Sequence, residues 1–537
     1  MFSIALFLLI GAFADYFWGG LRQSIHMMQL NSYFNARFLR WVKGRPGKSA
    51  TYISSLCALL CILPPRFILS LNIYLLSSAA VFLLLALNRK KKPDKKPLVY
   101  TWRVRRLLIG AGGICALFLW ISWLALPRLF WRNLPVYLLL LNLTAPYLTA
   151  AANAVVRPGE NYIARRFRQD AKRMLREHPG LTVIGITGSY GKTSTKRLLS
   201  QLLDLDFQVL ATPESYNTTM GVIRTIREKL SAAHQIFIVE MGAKKSGDIK
   251  EICELVEPSM GLISSIGEMH LDTFQNMENI INTKFELAEA VGEQGLLFLN
   301  YDNAYIRGRS LSQPVVRYGL GAEAEGRELD VWAENIEAGP SGSRFDLCFA
   351  GGEAISCRTK LLGRLNVLNI VAAAAVAARL GLRPDRLGQL IARLEPVPHR
   401  LQLLGSGAGF RIIDDAFNAN PEGAKQALET LSAFPGLRVL VTPGMVELGD
   451  VEDEMNRRLG IQAAGCCDFI IIVGKNRSAA IVDGAGGVGF DERKIYVAED
   501  IRDAMAKAKS LAMDPGRDQG PVTVLLENDL PDNYLEA

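Results

Sequence analysis

The sequence predicts a multi-domain protein: an α-helical transmembrane domain, an α/β central domain of the P-loop kind, and a smaller Rossmann-like α/β domain at the C-terminus. Three observations predict it. Five apolar stretches crowd the first 156 residues, a strand, glycine turn and helix begin at Thr182, and a second alternation of strands and helices begins near Pro396. A chain of 537 residues exceeds what one hydrophobic core supports, so several units are required. Hydrophobic residues make up 49% and no repeat period stands out, which excludes disordered, collagen-like and solenoid architectures. The expected boundaries are 1–156 for the membrane domain, 157–180 for a juxtamembrane linker helix, 181–395 for the central domain and 396–537 for the C-terminal domain.

The apolar stretches run over about 1–18, 50–65, 67–88, 107–126 and 134–156. Most approach the ~20 residues that cross a bilayer, and several in series do not read as buried core helices. The net charge of +8 averages two opposite parts: residues 1–160 hold 19 Lys and Arg against Asp15, Asp94 and Glu160, whereas the remainder is acidic. Nine of those bases fall in Arg89–Arg106 and six in Arg22–Lys48, with few in the alternate loops. The positive-inside rule places both rich loops in the cytoplasm. Five spans then put the N-terminus outside and everything after Val156 inside. The eight cysteines show no metal-ligand spacing and suit a reducing compartment. The bases read as topology and lipid headgroup contact rather than nucleic-acid binding, because no basic face interleaved with aromatics occurs. The segment Arg157–His178 is Arg-rich and expected to be helical after Pro158-Gly159, lying on the inner leaflet or serving as a solvated connector.

Thr182–Thr187 (TVIGIT) reads as a buried strand leading into Gly188-Ser189-Tyr190-Gly191-Lys192-Thr193-Ser194 and then a helix. Backbone N–H groups and a helix N-terminus at such a turn face a phosphate chain. Lys192 can neutralise phosphate oxygens and the Thr193 hydroxyl can ligate Mg²⁺, although Ile186 takes the place of the first glycine of the strict pattern. Further strands are expected at Phe207–Thr212, Gln235–Glu240, Met260–Ile266 and Gly295–Asn300, giving a mostly parallel sheet. Glu240 and His270 each follow such a strand, where ligands of open sheets gather. A second, smaller sheet is expected from Phe410–Ile413, Leu437–Val441, Phe469–Val473 and Val522–Leu526.

Several ordered stretches carry a resemblance. Thr187–Ser194 (TGSYGKTS) is similar to the ATP loop of the Mur ligases. Ser215–Gly221 (SYNTTMG), Glu240–Ile249 (EMGAKKSGDI), Gly267–Leu271 (GEMHL), Gly363–Asn369 (GRLNVLN), Asp414–Pro421 (DDAFNANP) and Met445–Gly449 (MVELG) resemble its MurF-type branch, which adds D-alanyl-D-alanine to a muramoyl tripeptide. The likeness covers Leu181 to the C-terminus. It implies a cytoplasmic ligase of bacterial cell-wall precursor synthesis, held by a multi-pass domain in the inner membrane, that uses ATP and Mg²⁺ to make an amide through an acyl phosphate.

Carried over by position, the resemblance puts Gly188, Ser189, Tyr190, Gly191, Lys192, Thr193 and Ser194 around the phosphates. It places Thr193 and Glu240 on one Mg²⁺, with His270 and a carbamylated Lys284 at a second. Asn300 and Asn366 would face the adenine, with Asp302 in the same stretch. Arg400 and Asp415 would approach the nucleotide from the last domain, and Asn217, Thr218, Thr219, Asn418 and Asn420 would meet substrate. Lys192, Lys284 and His270 form the expected catalytic set, and the partners implied are a muramoyl peptide, an amino-acid or dipeptide amine and membrane lipids.

The chain departs from the family in two places. MurF-type enzymes begin with a domain that binds uridine diphosphate, whereas only about 25 residues separate the last apolar stretch from the phosphate-loop strand, below the ~50 of a small domain. The carboxylate substrate is therefore expected to be lipid-linked or held by the membrane domain. Typical members also carry Lys-Gly-Ser near the end of the chain, where Leu526-Glu527-Asn528-Asp529 stands, so the amine donor can differ. A transporter driven by a P-loop ATPase and a pseudoenzyme scaffold are the competing readings; the spans lack intramembrane charge pairs and the motifs specify ligase chemistry.

Overall fold

The computed structural model describes residues 1–44, 70–88, 97–214, 216–269, 271–321, 328–352, 354–407, 409–417, 420–446, 448, 451–475, 477–513 and 520–528. The expected span at 50–65 and the basic run 89–96 lie outside them. Two units are separated near Arg165.

The first unit is helical. Its described helices are Phe2–Leu30, Asn35–Gly44, Leu71–Leu87, Trp102–Ala125, Phe130–Leu143 and the start of Ala145–Arg176. Leu9, Tyr16, Leu75, Phe82, Leu134 and Leu139 pack into one apolar cluster, and Ile25, Met28, Phe38, Val104 and Leu107 into another. Among the described residues two helices, Phe2–Leu30 and Trp102–Ala125, are long and apolar enough to cross a membrane, and only 22% and 11% of their apolar windows are buried. Apolar helices of that kind leave side chains such as Phe7 and Ile109 facing outward. Leu71–Leu87 is apolar but has 17 residues.

The expected straight span over 134–156 is instead two helices that meet at Thr144 with a bend of 71°. The Thr144 hydroxyl donates to Leu140 O at 2.8 Å, and Pro146 just beyond has no N–H to continue the first ladder but fits the opening turn of the second. The second helix then runs to Arg176 through Pro158-Gly159, so the linker helix does not begin there as a separate element. Asn153 donates to Tyr33 O and Asn35 Oδ1, at 3.0 and 2.8 Å, tying this helix to the turn after the first one.

The second unit, Arg166–Leu530, contains two sheets. The larger has nine strands: β1 (Thr182–Thr187), β2 (Val209–Ala211), β3 (Ile236–Glu240), β4 (Met260–Ile263), β5 (Leu296–Asn300), β6 (Val315–Leu320), β7 (Val331–Gly339), β8 (Gly342–Phe349) and β9 (Ile355–Thr359). Their order is β2-β3-β1-β4-β5-β6-β7-β8-β9, parallel up to β7 and antiparallel through β8 and β9. Being central, β1 is covered on both faces, which explains its unbroken apolar run. Ile184 and Ile186 pack beneath the helices Lys192–Leu203 and Gly363–Arg379, whereas Val183 faces the layer of Thr219–Lys229, Asp248–Val256 and Met277–Val291. The parallel half is the expected one; β2 is shorter than expected, and β6 to β9 extend the sheet.

The smaller sheet comprises β10 (Gln402–Gly407), β11 (Phe410–Asp415), β12 (Leu437–Thr442), β13 (Phe469–Val473), β14 (Ile495–Ala498) and β15 (Val522–Glu527) in the order β10-β11-β15-β12-β13-β14. All pairs are parallel except β10 with β11. Helices Pro421–Ser432, Glu452–Cys466 and Ser478–Gly487 cover one face and Ile501–Ala512 the other. Between the sheets, His399 and Leu401 take positive φ angles of 58° and 47°, a sharp turn that seats Arg400 beneath β11.

Candidate active site

The glycine turn joins β1 to the helix Lys192–Leu203. Gly191 caps that helix at φ 79°, and a Cβ there would lie 2.7 Å from Asn369 Oδ1, so both conformation and space require glycine. Gly188 is equally constrained: a Cβ would meet Ser264 Oγ at 2.2 Å. The turn is held by the segment after β4. Ser189 N donates to Ser265 O at 2.8 Å, Tyr190 N to Ser265 Oγ at 2.8 Å, and Ser189 Oγ to Gly267 O at 3.0 Å. The Tyr190 hydroxyl donates to Glu268 O at 2.9 Å, so Tyr190 braces the turn. Ser194 is buried in the first helical turn.

Lys192 folds back over the turn, donating to Gly188 O at 2.6 Å and Ser189 O at 3.0 Å. Burial lowers its pKa to about 8, with Glu240 opposing the shift and Arg400 adding to it. A half-buried cation at this turn, held by two loop carbonyls, is matched to a polyanion.

Glu240 ends β3 and is 1% exposed. Its Oε2 is paired with Lys196 at 2.8 Å, while Oε1 accepts from Thr193 Oγ1 at 2.9 Å and from Asn217 Nδ2 at 3.2 Å. Lys196 also donates to Glu214 O. One carboxylate oxygen thus faces a threonine hydroxyl at the phosphate turn, a hard oxygen set that suits Mg²⁺. Lys196 was not anticipated from sequence, although it lies one helical turn beyond Lys192 on the same face.

Lys284 lies buried in Met277–Val291, with its ammonium 5.8 Å from the centre of the Phe274 ring. Burial first, and Lys192 second, lower its pKa to about 7. Glu286 and Asp248 oppose that shift. Thr218 caps Thr219–Lys229, its hydroxyl accepting from Gly221 N at 3.3 Å, and Thr219 opens that helix. His270 and Asn418 lie outside the described residues. Among the described residues no group of three or more His, Cys, Asp and Glu is arranged to hold a metal.

The residues expected near the adenine make structural bonds. Asn300 Nδ2 donates to Ser264 O at 2.8 Å, and Asn366 Nδ2 to Leu362 O, one turn back in its own helix, at 2.9 Å. Asp302 Oδ2 accepts from Leu320 N at 2.8 Å. Asn420 caps Pro421–Ser432 through Gly423 N at 2.8 Å. Arg400 is half-buried; desolvation lowers its pKa, and the charges of Asp415, Glu240 and Glu527 oppose the shift. Its guanidinium lies 4.6 Å from the centre of the Phe417 ring. The site therefore spans the seam of the two sheets.

A parallel sheet with this turn, a lysine folded over it, and a strand-end carboxylate opposite a threonine define a P-loop α/β protein, extended by a second α/β domain. Family comparisons refine that class. The Mur ligase middle domain matches residues 186–377, and the Mur ligase glutamate ligase domain matches 399–523. The UDP-N-acetylmuramoyl-tripeptide–D-alanyl-D-alanine ligase of Mycobacterium tuberculosis is 32% identical over 329 residues, 58% of this chain and 63% of that protein. The Escherichia coli ligase of the same name is 30% identical over 320 residues, 59% of this chain and 69% of that protein. The MurF ligase of Thermotoga maritima, solved with ADP, superposes with a TM-score of 0.58 at 25% identity over 68% of this chain and 80% of that one. The chain belongs to the Mur ligase family. It spans under two thirds of the length of its mycobacterial relatives.

Proposed function

We propose that this protein is an ATP-dependent carboxylate–amine ligase of the MurF type, acting in peptidoglycan precursor synthesis at the bacterial inner membrane. The observation that carries this reading is the convergence of Lys192, Thr193 and Glu240 at the carboxyl ends of β1 and β3, with the buried Lys284 feeling the charge of Lys192, in a chain of this family. The substrate carboxylate attacks the γ-phosphorus of ATP, forming a C–O–P bond as ADP leaves. The amine then forms the C–N bond as the C–O bond breaks and phosphate departs. Lys192 shifts from the loop carbonyls to the phosphates, and the turn N–H groups hold them in line for attack. Mg²⁺ would be held by Thr193, Glu240, His270 and carbamylated Lys284, and would supply charge stabilisation on the phosphates. Burial supports the carbamylation: a lysine titrating near 7 presents the uncharged amine that captures CO₂.

The helical unit supports a multi-pass membrane protein with its ligase domains cytoplasmic, and a muramoyl peptide presented at the membrane, lipid-linked or UDP-linked, as carboxylate donor. The apolar helices with outward-facing Phe7, Leu84 and Ile109 favour this over a soluble helical domain. Detergent-solubilised protein, given ATP, Mg²⁺ and D-alanyl-D-alanine with UDP-muramoyl-tripeptide or its lipid-linked counterpart, is expected to release ADP only when carboxylate and amine are both present. Release indifferent to both contradicts the reading.

A further inference from the structure

Lys196 is a buried cation set against the carboxylate that faces the phosphate turn. The parallel register pairs Glu240 with Ile186, two residues before Gly188, and Glu240 N donates to Thr212 Oγ1 at 3.1 Å, so the main chain of Glu240 is fixed beside the turn. Its two carboxylate oxygens are used differently. Oε2 accepts from Lys196 Nζ at 2.8 Å, and the same ammonium donates to Glu214 O. Oε1 accepts from Thr193 Oγ1 at 2.9 Å and from Asn217 Nδ2 at 3.2 Å. Asn217 is itself held, its carbonyl accepting from Gly242 N at 2.7 Å, and a Cβ on Gly242 would lie 2.7 Å from Asn217 Cγ. The carboxylate therefore has one oxygen turned to the threonine of the phosphate turn and the other occupied by a lysine. By charge alone a lysine there opposes the binding of a metal ion, so its contribution lies elsewhere than in affinity.

We propose that Lys196 determines which divalent cation the site accepts, by keeping Oε2 occupied so that Glu240 meets the metal through Oε1 alone. The inference rests on the ligase reading above, which puts Mg²⁺ on Thr193 and Glu240. Mg²⁺ is small and demands near-ideal octahedral geometry, which a carboxylate serves through a single oxygen. Ca²⁺ is larger, accepts more ligands in looser arrangements, and takes carboxylates through both oxygens. With Oε2 spent on Lys196, the larger ion loses its second oxygen and Mg²⁺ loses nothing. Lys196 is thus a positioning residue that acts through Glu240. It differs in this from Lys192, one helical turn earlier, whose ammonium lies on the turn carbonyls.

The test reads metal binding without turnover. Solubilised full-length protein with ADP is loaded with Mn²⁺, the free ion is followed by electron paramagnetic resonance, and Mg²⁺ or Ca²⁺ is added to displace it. In the wild type Mg²⁺ should displace Mn²⁺ at a concentration about tenfold lower than Ca²⁺ does. Lys196→Met removes the donor and opens Oε2, and should move that ratio about tenfold towards Ca²⁺, whereas Lys196→Arg keeps a cationic donor and should stay within about twofold of the wild type. An equal gain for both ions, which loss of the charge alone would give, overturns the proposal. So does equal displacement by Mg²⁺ and Ca²⁺ in the wild type, a measurement that stands even if Lys196→Met does not fold. Wild-type protein with ADP that binds no Mn²⁺ would instead count against the metal placement of the ligase reading itself.

Discussion

Two lysines one helical turn apart at the phosphate turn carry opposite assignments, and their neighbours decide which is which. Lys192 is aimed at the turn carbonyls, so Lys192→Ala should cut ATP turnover by about a hundredfold or more while leaving membrane insertion intact, as read by turnover and by carbonate extraction. Lys196 is spent on Glu240. Lys196→Met leaves that carboxylate buried and unpaired and should destabilise the protein by about 3–5 kcal/mol, seen as a lowered unfolding midpoint. Lys284 gives a pH signature. Its folded-state pKa of about 7 lies below the ordinary lysine value, so the unfolded chain binds more protons between those pH values. In CO₂-free buffer, where Lys284 is the unmodified amine, wild-type stability should therefore rise from about pH 7 to pH 9 relative to Lys284→Met, and a difference independent of pH would contradict the assignment. The sequence exposed Lys192, Thr193 and Glu240 because each belongs to a local strand–turn pattern. It hid Lys196, whose meaning depends on a partner 44 residues away.

At the scale of elements, the parallel strands flanking the glycine turn were legible, because strands buried on both faces read as unbroken apolar runs. The hairpin β7–β8 and strand β9 were not, since their mixed polar residues answer to cross-strand neighbours rather than to a local period. Nor was the break at Thr144, where apolar character continues unchanged across the bend. The C-terminal domain offers a test of close packing. A Cβ on Gly460 would lie 2.1 Å from Ile481 O, and one on Gly484 2.0 Å from Arg457 O. The helices Glu452–Cys466 and Ser478–Gly487 thus touch through reciprocal glycines. Gly460→Ala should force them apart at a cost of about 1–3 kcal/mol, measurable as a lower melting temperature with the phosphate turn unaffected.

For the whole molecule, the charge division marks function. The basic first part carries the apolar helices, with Trp102 and Arg103 at one end of Trp102–Ala125 and Trp120 and Trp123 near the other. Reporter fusions at Met1 and after Val156 should fall on opposite sides of the membrane; the same side contradicts the five-span topology. The acidic remainder concentrates Lys192, Lys284 and Arg400 at one seam between its two sheets. Activation of a carboxylate by phosphorylation at this seam is tested with a muramoyl tripeptide whose reacting carboxylate is labelled with ¹⁸O. One labelled oxygen is expected in each inorganic phosphate released with the amide. Unlabelled phosphate would contradict it.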